Sequence, residues 1–339
     1  MPAGNPTLSA RVTVGGTVSA ATPAPRSSSF ASYVSLLEMH PELLAAHLPK
    51  GPDSAALVAR YPDLAAVDMR EITIRGQHGD LPARHYRGPD TSAGPALVWV
   101  HGGAYVGGDL DMPEANWVAL TLAARGIPVL CVDYHKCLHG VCFPVPSDDV
   151  LAAWLWAVQH ADELGATPAE LHLGGASAGA NLAAGVTKRL RDDAGPAPAS
   201  LLLVYPIVHP QLPPLSDPLR AATAQLTGTA VTGDMVEEFN LQFAGTADVL
   251  ADPYAFAGNG DISGQPPVYV LNADADYLRA SGEAYAAQLD LAGVSVTVEF
   301  EPSAEHGHLN APFQTPGERS LERIVCWLRG RARTEVTRM

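Results

Sequence analysis

Between Leu171 and Asn181 a short apolar run suited to a strand meets Ala178 to Leu190, which suits a helix, with a single sharp turn between them. The turn reads Gly175-Ala176-Ser177-Ala178-Gly179. A serine at such a strand-to-helix turn is held at a strained backbone angle, and glycines on either side let strand and helix approach each other. The hydroxyl is then presented at the top of a sheet as a candidate nucleophile. Small-residue turns also arise by chance in a chain with 31 glycines, so the pentapeptide acquires meaning only from its partners.

The surrounding pattern supplies a setting. Ala96 to Val100 and Ile127 to Val132 are continuous apolar runs, as expected for strands buried on both faces of a parallel sheet, and Asn116 to Arg125 between them is helical in pattern. The alternation continues with a helix from Asp148 to Leu164, a strand to Leu173, the helix after Ser177 and a strand from Ser200 to Tyr205. It resumes with a strand from Val268 to Ala273, a helix from Ser281 to Ala292, a strand from Val294 to Phe300 and a last helix from Gly317 to Arg329. This rhythm predicts an α/β fold with a mostly parallel, doubly wound sheet. Val67 to Arg75 and Leu81 to Arg87, flanking Gly79-Asp80, read as an antiparallel hairpin in front of it.

Two stretches break the rhythm. Residues 1–28 are rich in Ala, Pro, Ser, Thr and Gly and read as a mobile tail; residues 29–66 carry helical spacing interrupted by Pro41, Pro49 and Pro52. Residues 209–265 hold no buried strand, only Pro-rich turns and helical segments such as Gly233 to Phe243. Open α/β sheets place their sites at the carboxyl ends of the strands. The 209–265 insertion and the 29–66 segment are therefore expected to form a helical cap there, over a catalytic domain made of residues 67–208 and 266–339.

Charge and cysteine content narrow the function. A net charge of −15 disfavours nucleic acid and anionic membranes as partners. No segment reads as a secretory signal or a membrane anchor, so a cytoplasmic location is the expectation. Four cysteines without a Cys-x-x-Cys pair suggest neither a structural zinc site nor a redox motif. Cys137 and Cys142 are close enough in sequence for a small disulfide loop, with free thiols the ordinary state in the cytoplasm. A homodimer is left open.

The second motif, His101-Gly102-Gly103-Ala104-Tyr105, follows the strand ending at Val100. Acyl transfer develops charge on a carbonyl oxygen, and backbone N–H groups stabilise it only where the chain can come close, which favours small residues. Gly102, Gly103 and Ala104 meet that need, and the N–H of Ala178, at the start of the helix after Ser177, is a further donor.

Together with Gly175-Ala176-Ser177-Ala178-Gly179-Ala180-Asn181, Asp276-Tyr277-Leu278-Arg279 and His306-Gly307, these residues resemble the α/β-hydrolase fold, in its hormone-sensitive-lipase-like branch of bacterial esterases. The resemblance spans about residues 68 to 329, with weaker matches at Val132-Asp133-Tyr134, Phe143-Pro144, Asp148-Asp149 and Asp252-Pro253. It implies a cofactor-free, metal-free serine carboxylesterase for small ester substrates, short- to medium-chain and acetyl-type. The chain departs from the family's pattern at Ala176, at Ala104, at Tyr277 and across His135 to Cys142.

Asp274 and Asp276 compete for the acid and His306 and His308 for the base; the family frame selects Asp276 and His306. The order Ser177, Asp276, His306 is nucleophile, acid, base. Tyr105, His139 and His308 are expected in the substrate pocket, with His135, Lys136 and His139 adding polarity that tunes which ester is accepted. The same triad would serve an amidase or an interfacial lipase, and a non-catalytic ligand-binding relative could keep the pocket.

Overall fold

A computed structural model describes residues 28–40, 42, 51–89, 94–224, 226 and 233–330. The tail expected over residues 1–28 thus lies outside the described residues up to position 27.

Eight strands form one sheet: β1 (Asp68–Arg75), β2 (Asp80–Arg87), β3 (Ala96–Val100), β4 (Val129–Val132), β5 (Leu171–Ala176), β6 (Leu201–Val204), β7 (Val268–Ala275) and β8 (Val296–Glu305). Their spatial order is β1-β2-β4-β3-β5-β6-β7-β8. The β1–β2 hairpin is antiparallel, in register from Asp68 opposite Arg87 to Arg75 opposite Asp80, and β2 pairs antiparallel with β4. Every other pairing is parallel. Crossover helices account for this: α1 (Ser28–Met39) and α2 (Ser54–Arg60) precede the sheet, while α3 (Pro113–Ala124), α4 (Val145–Gln159), α5 (Ala178–Asp192), α8 (Arg279–Leu291) and α9 (Thr315–Leu328) connect or follow its strands.

Successive strand residues point to opposite faces, and both faces are covered. Val98, Val100, Leu173, Leu201 and Val270 pack with Trp154 of α4, Leu182 of α5 and Leu289 of α8. Their neighbours Leu97, Trp99, Leu202 and Leu271 pack with Trp117 of α3 and Ile324 of α9 on the other side. That is why β3 and β4 read as unbroken apolar runs. The observed helices start earlier than the periodicity suggests, at Pro113, Val145 and Thr315, because each carries a proline in its first turn, where the missing N–H costs nothing.

Residues 209–265 contain α6 (Asp217–Thr223) and α7 (Gly233–Ala244), and no strand occurs among their described residues. α7 meets α1 through an edge-to-face contact of Phe239 with Phe30, ring centroids 4.6 Å apart. Its other end reaches the segment after β3: Phe243 stacks on Tyr105 at 4.2 Å, and the Gln242 amide donates to the Cys137 carbonyl at 2.7 Å.

Close packing at the elbow sets a stringent requirement. A Cβ added to Gly179 would lie 2.2 Å from the Val100 carbonyl oxygen and 2.4 Å from that of His101. Both obstacles are backbone, so neither can swing aside. Gly293, after α8, is the contrast, with φ of +75° and open space around it. Gly179→Ala is expected to cost at least roughly 2–3 kcal/mol in urea unfolding, and Gly293→Ala only about 1 kcal/mol. The opposite ranking would contradict the packing described.

Candidate active site

β5 ends at Ala176 and α5 begins at Ala178, leaving Ser177 alone to make the turn with φ 53° and ψ −120°. A side-chain-bearing residue at positive φ costs of order 1–3 kcal/mol and persists only when its surroundings impose it. Here they do: the Ser177 N–H donates to the Val204 carbonyl at 3.0 Å, and its own carbonyl accepts from Ala180 and Asn181.

The serine hydroxyl lies 3.0 Å from His306 Nε2, and His306 Nδ1 lies 2.8 Å from Asp276 Oδ2. A carboxylate only accepts, so Nδ1 carries the proton and Nε2 is left as the acceptor for the hydroxyl. Asp276 is buried at the end of β7, and its second oxygen accepts the Leu278 N–H at 2.9 Å. Burial lowers the affinity of the His306 imidazole for a proton; the charge and hydrogen bond of Asp276, helped by Glu114, more than offset this, and its pKa is raised.

The competing residues are otherwise engaged. Asp274 is half exposed and pairs with Arg279 at 2.7 Å. His308, expected in the pocket, is buried, with Nε2 2.8 Å from Ser320 Oγ on α9. Burial holds its pKa down to about 4. Tyr105, also expected in the pocket, is fully buried beneath Phe243. His139 is exposed, its backbone N–H donating to Glu38 of α1 at 2.7 Å. His135 and Lys136 are engaged by acidic side chains: His135 Nδ1 sits 2.8 Å from Asp149, and the Lys136 ammonium 2.5 Å from Asp133 and above the Tyr134 ring. Cys137 and Cys142 are free thiols.

Gly102 also departs from the expectation. It was expected to offer its N–H to a substrate oxyanion, but that N–H donates to buried Glu114 Oε1 at 2.6 Å. The Gly102 carbonyl accepts from the Tyr134 hydroxyl at 3.0 Å and from His101 Nδ1 at 2.7 Å. In a trans peptide the following N–H points the opposite way, so the Gly103 N–H is turned from these partners. The Gly103 carbonyl in turn accepts from Val106 and Gly107 at 3.1 and 2.8 Å, which directs the Ala104 N–H away from them. Among the described residues, the N–H groups of Gly103, Ala104 and Ala178 have no protein acceptor.

Glu114, Tyr205 and Asn310 escape a reading of the sequence. The Glu114 carboxylate accepts from the Tyr205 hydroxyl and, at 3.3 Å, from the Asn310 amide, while the Tyr205 ring stands edge-on to His306 with centroids 5.0 Å apart. Among the described residues no group of three His, Cys, Asp or Glu side chains is gathered as a metal site requires. No helix among them is long and apolar enough to cross a membrane.

Comparison with known proteins identifies the family. Residues 97–310 match a family model described as the alpha/beta hydrolase fold. The chain is 36% identical over 258 residues to the carboxylic ester hydrolase LipN of Mycobacterium tuberculosis, covering 74% of this chain and 66%, just under two thirds, of that protein. It is 33% identical over 264 residues to an ethyl acetate hydrolase of Pseudomonas putida, covering 75% and 79%. A hyperthermophilic esterase from the archaeon Pyrobaculum calidifontis superposes with a TM-score of 0.73 at 26% identity, over 91% of this chain and 99% of that one. The chain belongs to the α/β-hydrolase family, in the hormone-sensitive-lipase-like branch of bacterial esterases.

Proposed function

We propose that this enzyme is a serine carboxylesterase that hydrolyses short- to medium-chain esters, acetyl esters among them, through an acyl-enzyme. The observation that carries the reading is the unbroken chain from Ser177 Oγ through His306 to Asp276. Ser177 attacks the ester carbonyl while His306 Nε2 takes its proton, and Asp276 holds the imidazole in the tautomer that leaves Nε2 free. The carbonyl oxygen gains charge and is held by the N–H groups of Gly103, Ala104 and Ala178. His306 returns the proton to the leaving alcohol, then activates a water that releases the acid.

The acetyl class is favoured by the ethyl acetate hydrolase among the relatives. The helices of 209–265, joined to α1 through Phe239 and Phe30, are proposed as the cap over the acyl pocket. The free thiols suit a reducing compartment, and the cytoplasm is the proposed location.

With p-nitrophenyl acetate as substrate, Ser177→Ala is expected to stay folded and lose roughly 10³-fold or more in kcat. Near-normal turnover by that variant would remove the serine from the mechanism. Asp276→Asn is expected to lose about 10⁴-fold through the wrong histidine tautomer, and Asp274→Asn, which weakens a half-exposed pair with Arg279 and a long hydrogen bond from the Ser303 N–H, less than about fivefold. Equal losses would leave the acid unassigned.

The pH dependence has a definite sign. The base must be neutral, and its pKa is raised in the folded protein, so kcat/KM should fall with falling pH through a midpoint above the ordinary histidine value of about 6.5. His308, held at about 4, cannot produce that limb. A rate that stays flat down to about pH 4 would exclude His306 as the base.

A further inference from the structure

The expected chemistry leaves one buried charge unexplained. Glu114 stands in the first turn of α3 at 2% exposure, and its partners are all donors: the Gly102 N–H on one oxygen, the Tyr205 hydroxyl and the Asn310 amide on the other. The backbone doubles the link, since the Glu114 N–H donates to Asn310 Oδ1 at 3.1 Å. Asn310 lies four residues after His306, and Tyr205 packs edge-on against the His306 ring. One carboxylate therefore ties together the loop after β3, the turn after β6 and the segment bearing the base.

Its grip on the loop is exact in direction. Gly102 lies against the nucleophile so closely that an added Cβ would meet Ser177 Cβ at 3.0 Å and Glu114 Oε1 at 2.6 Å. With the N–H of Gly102 held by Glu114 and its carbonyl held by Tyr134 and His101, both peptides flanking Gly102 are fixed. An oxyanion hole works only if its donors are oriented before charge appears.

We propose that Glu114 is a positioning residue for ester hydrolysis: by holding the Gly102 N–H, beside the grip of Tyr134 and His101 on the Gly102 carbonyl, it keeps the Gly103 N–H facing the oxygen that becomes negative. This rests on the esterase reading above. The carboxylate touches neither substrate nor the reacting atoms. In Glu114→Gln the side chain keeps its shape, but its amide nitrogen must face a donor, either the Gly102 N–H or the Asn310 amide, and the lock loosens.

The test pairs turnover with a probe of the hole itself. An alkyl trifluoromethyl ketone adds Ser177 Oγ to its carbonyl carbon; the serine proton passes to His306 and the carbonyl electron pair becomes an oxyanion seated on the same N–H groups. For Glu114→Gln, kcat on p-nitrophenyl acetate is expected to fall about 10²-fold with KM within about threefold, and ketone affinity to weaken in step with kcat/KM. A merely structural role would lower the melting temperature or the active fraction and leave the ketone affinity of the folded enzyme unchanged.

Kinetics and ketone affinity both within about twofold of wild type would overturn the proposal, as would a loss of kcat with unaltered ketone binding. Should Glu114→Gln not fold, Tyr205→Phe carries the test, because it keeps the carboxylate and removes one of its donors. A parallel fall of about three- to tenfold in kcat/KM and ketone affinity supports the lock, and an unchanged affinity overturns it. An inactive wild-type enzyme would instead bring down the esterase reading itself, whereas activity that depends on Ser177 but not on Glu114 sinks this inference alone.

Discussion

The first turn of α5 lies against the last peptides of β3 at a distance that admits no side chain at Gly179, and the rest of the site depends on that contact. It fixes where Ser177 stands, because the turn between β5 and α5 must be made in one residue at positive φ. It also brings the segment after β3 alongside the elbow, with Gly102 beside Ser177 Cβ. Ser177 and the peptides proposed as oxyanion donors therefore follow neighbouring parallel strands, β5 and β3, held in register by backbone hydrogen bonds from Ala96 opposite Leu171 to Val100 opposite Gly175. A rigid sheet sets the distance between them, and loops only refine it.

A hydrogen bond between serine and histidine does not by itself make a nucleophile, and this chain contains its own controls. His172 Nδ1 lies 2.7 Å from Ser200 Oγ, His209 Nδ1 2.9 Å from Ser281 Oγ, and His308 Nε2 2.8 Å from Ser320 Oγ. In all three the imidazole pKa is lowered, with burial as the leading cause. His306 differs because the carboxylate of Asp276 is bonded to its other nitrogen; His209 has a glutamine there and His308 a backbone carbonyl. The carboxylate reverses the direction of the shift, and in the proposed reaction it supports the imidazolium that forms as Ser177 gives up its proton.

Much of this was legible in the sequence, and the reasons are physical. Strands buried on both faces favour apolar residues throughout, so Ala96 to Val100 and Ile127 to Val132 announced themselves, and the glycines around Ser177 record a close approach that only they permit. Helix starts were less visible, since Pro113 and Pro146 look like breakers until their place in a first turn is known. β8 runs on to Glu305, past the apolar stretch, because Arg319 and Arg323 of α9 pair with the buried Glu301 from elsewhere in the chain. The orientation of the Gly102 peptide was out of reach for the same reason. It is decided by Glu114, Tyr134 and His101, and no local pattern tells that a glutamate in the first turn of α3 points inward. In the loop from His135 to Cys142 the polar residues are legible, but their partners are not: Asp133 and Asp149 engage Lys136 and His135.

In the proposed mechanism, ester hydrolysis passes through a covalent bond to Ser177. Acid quenching of the enzyme during turnover of p-nitrophenyl acetate, followed by mass spectrometry of the intact protein and its peptides, tests this most directly. The prediction is one acetyl group on the peptide that contains Ser177, absent in Ser177→Ala. An acetyl group on Ser200, Ser281 or Ser320 instead, or continued turnover with no acylated protein, would contradict it.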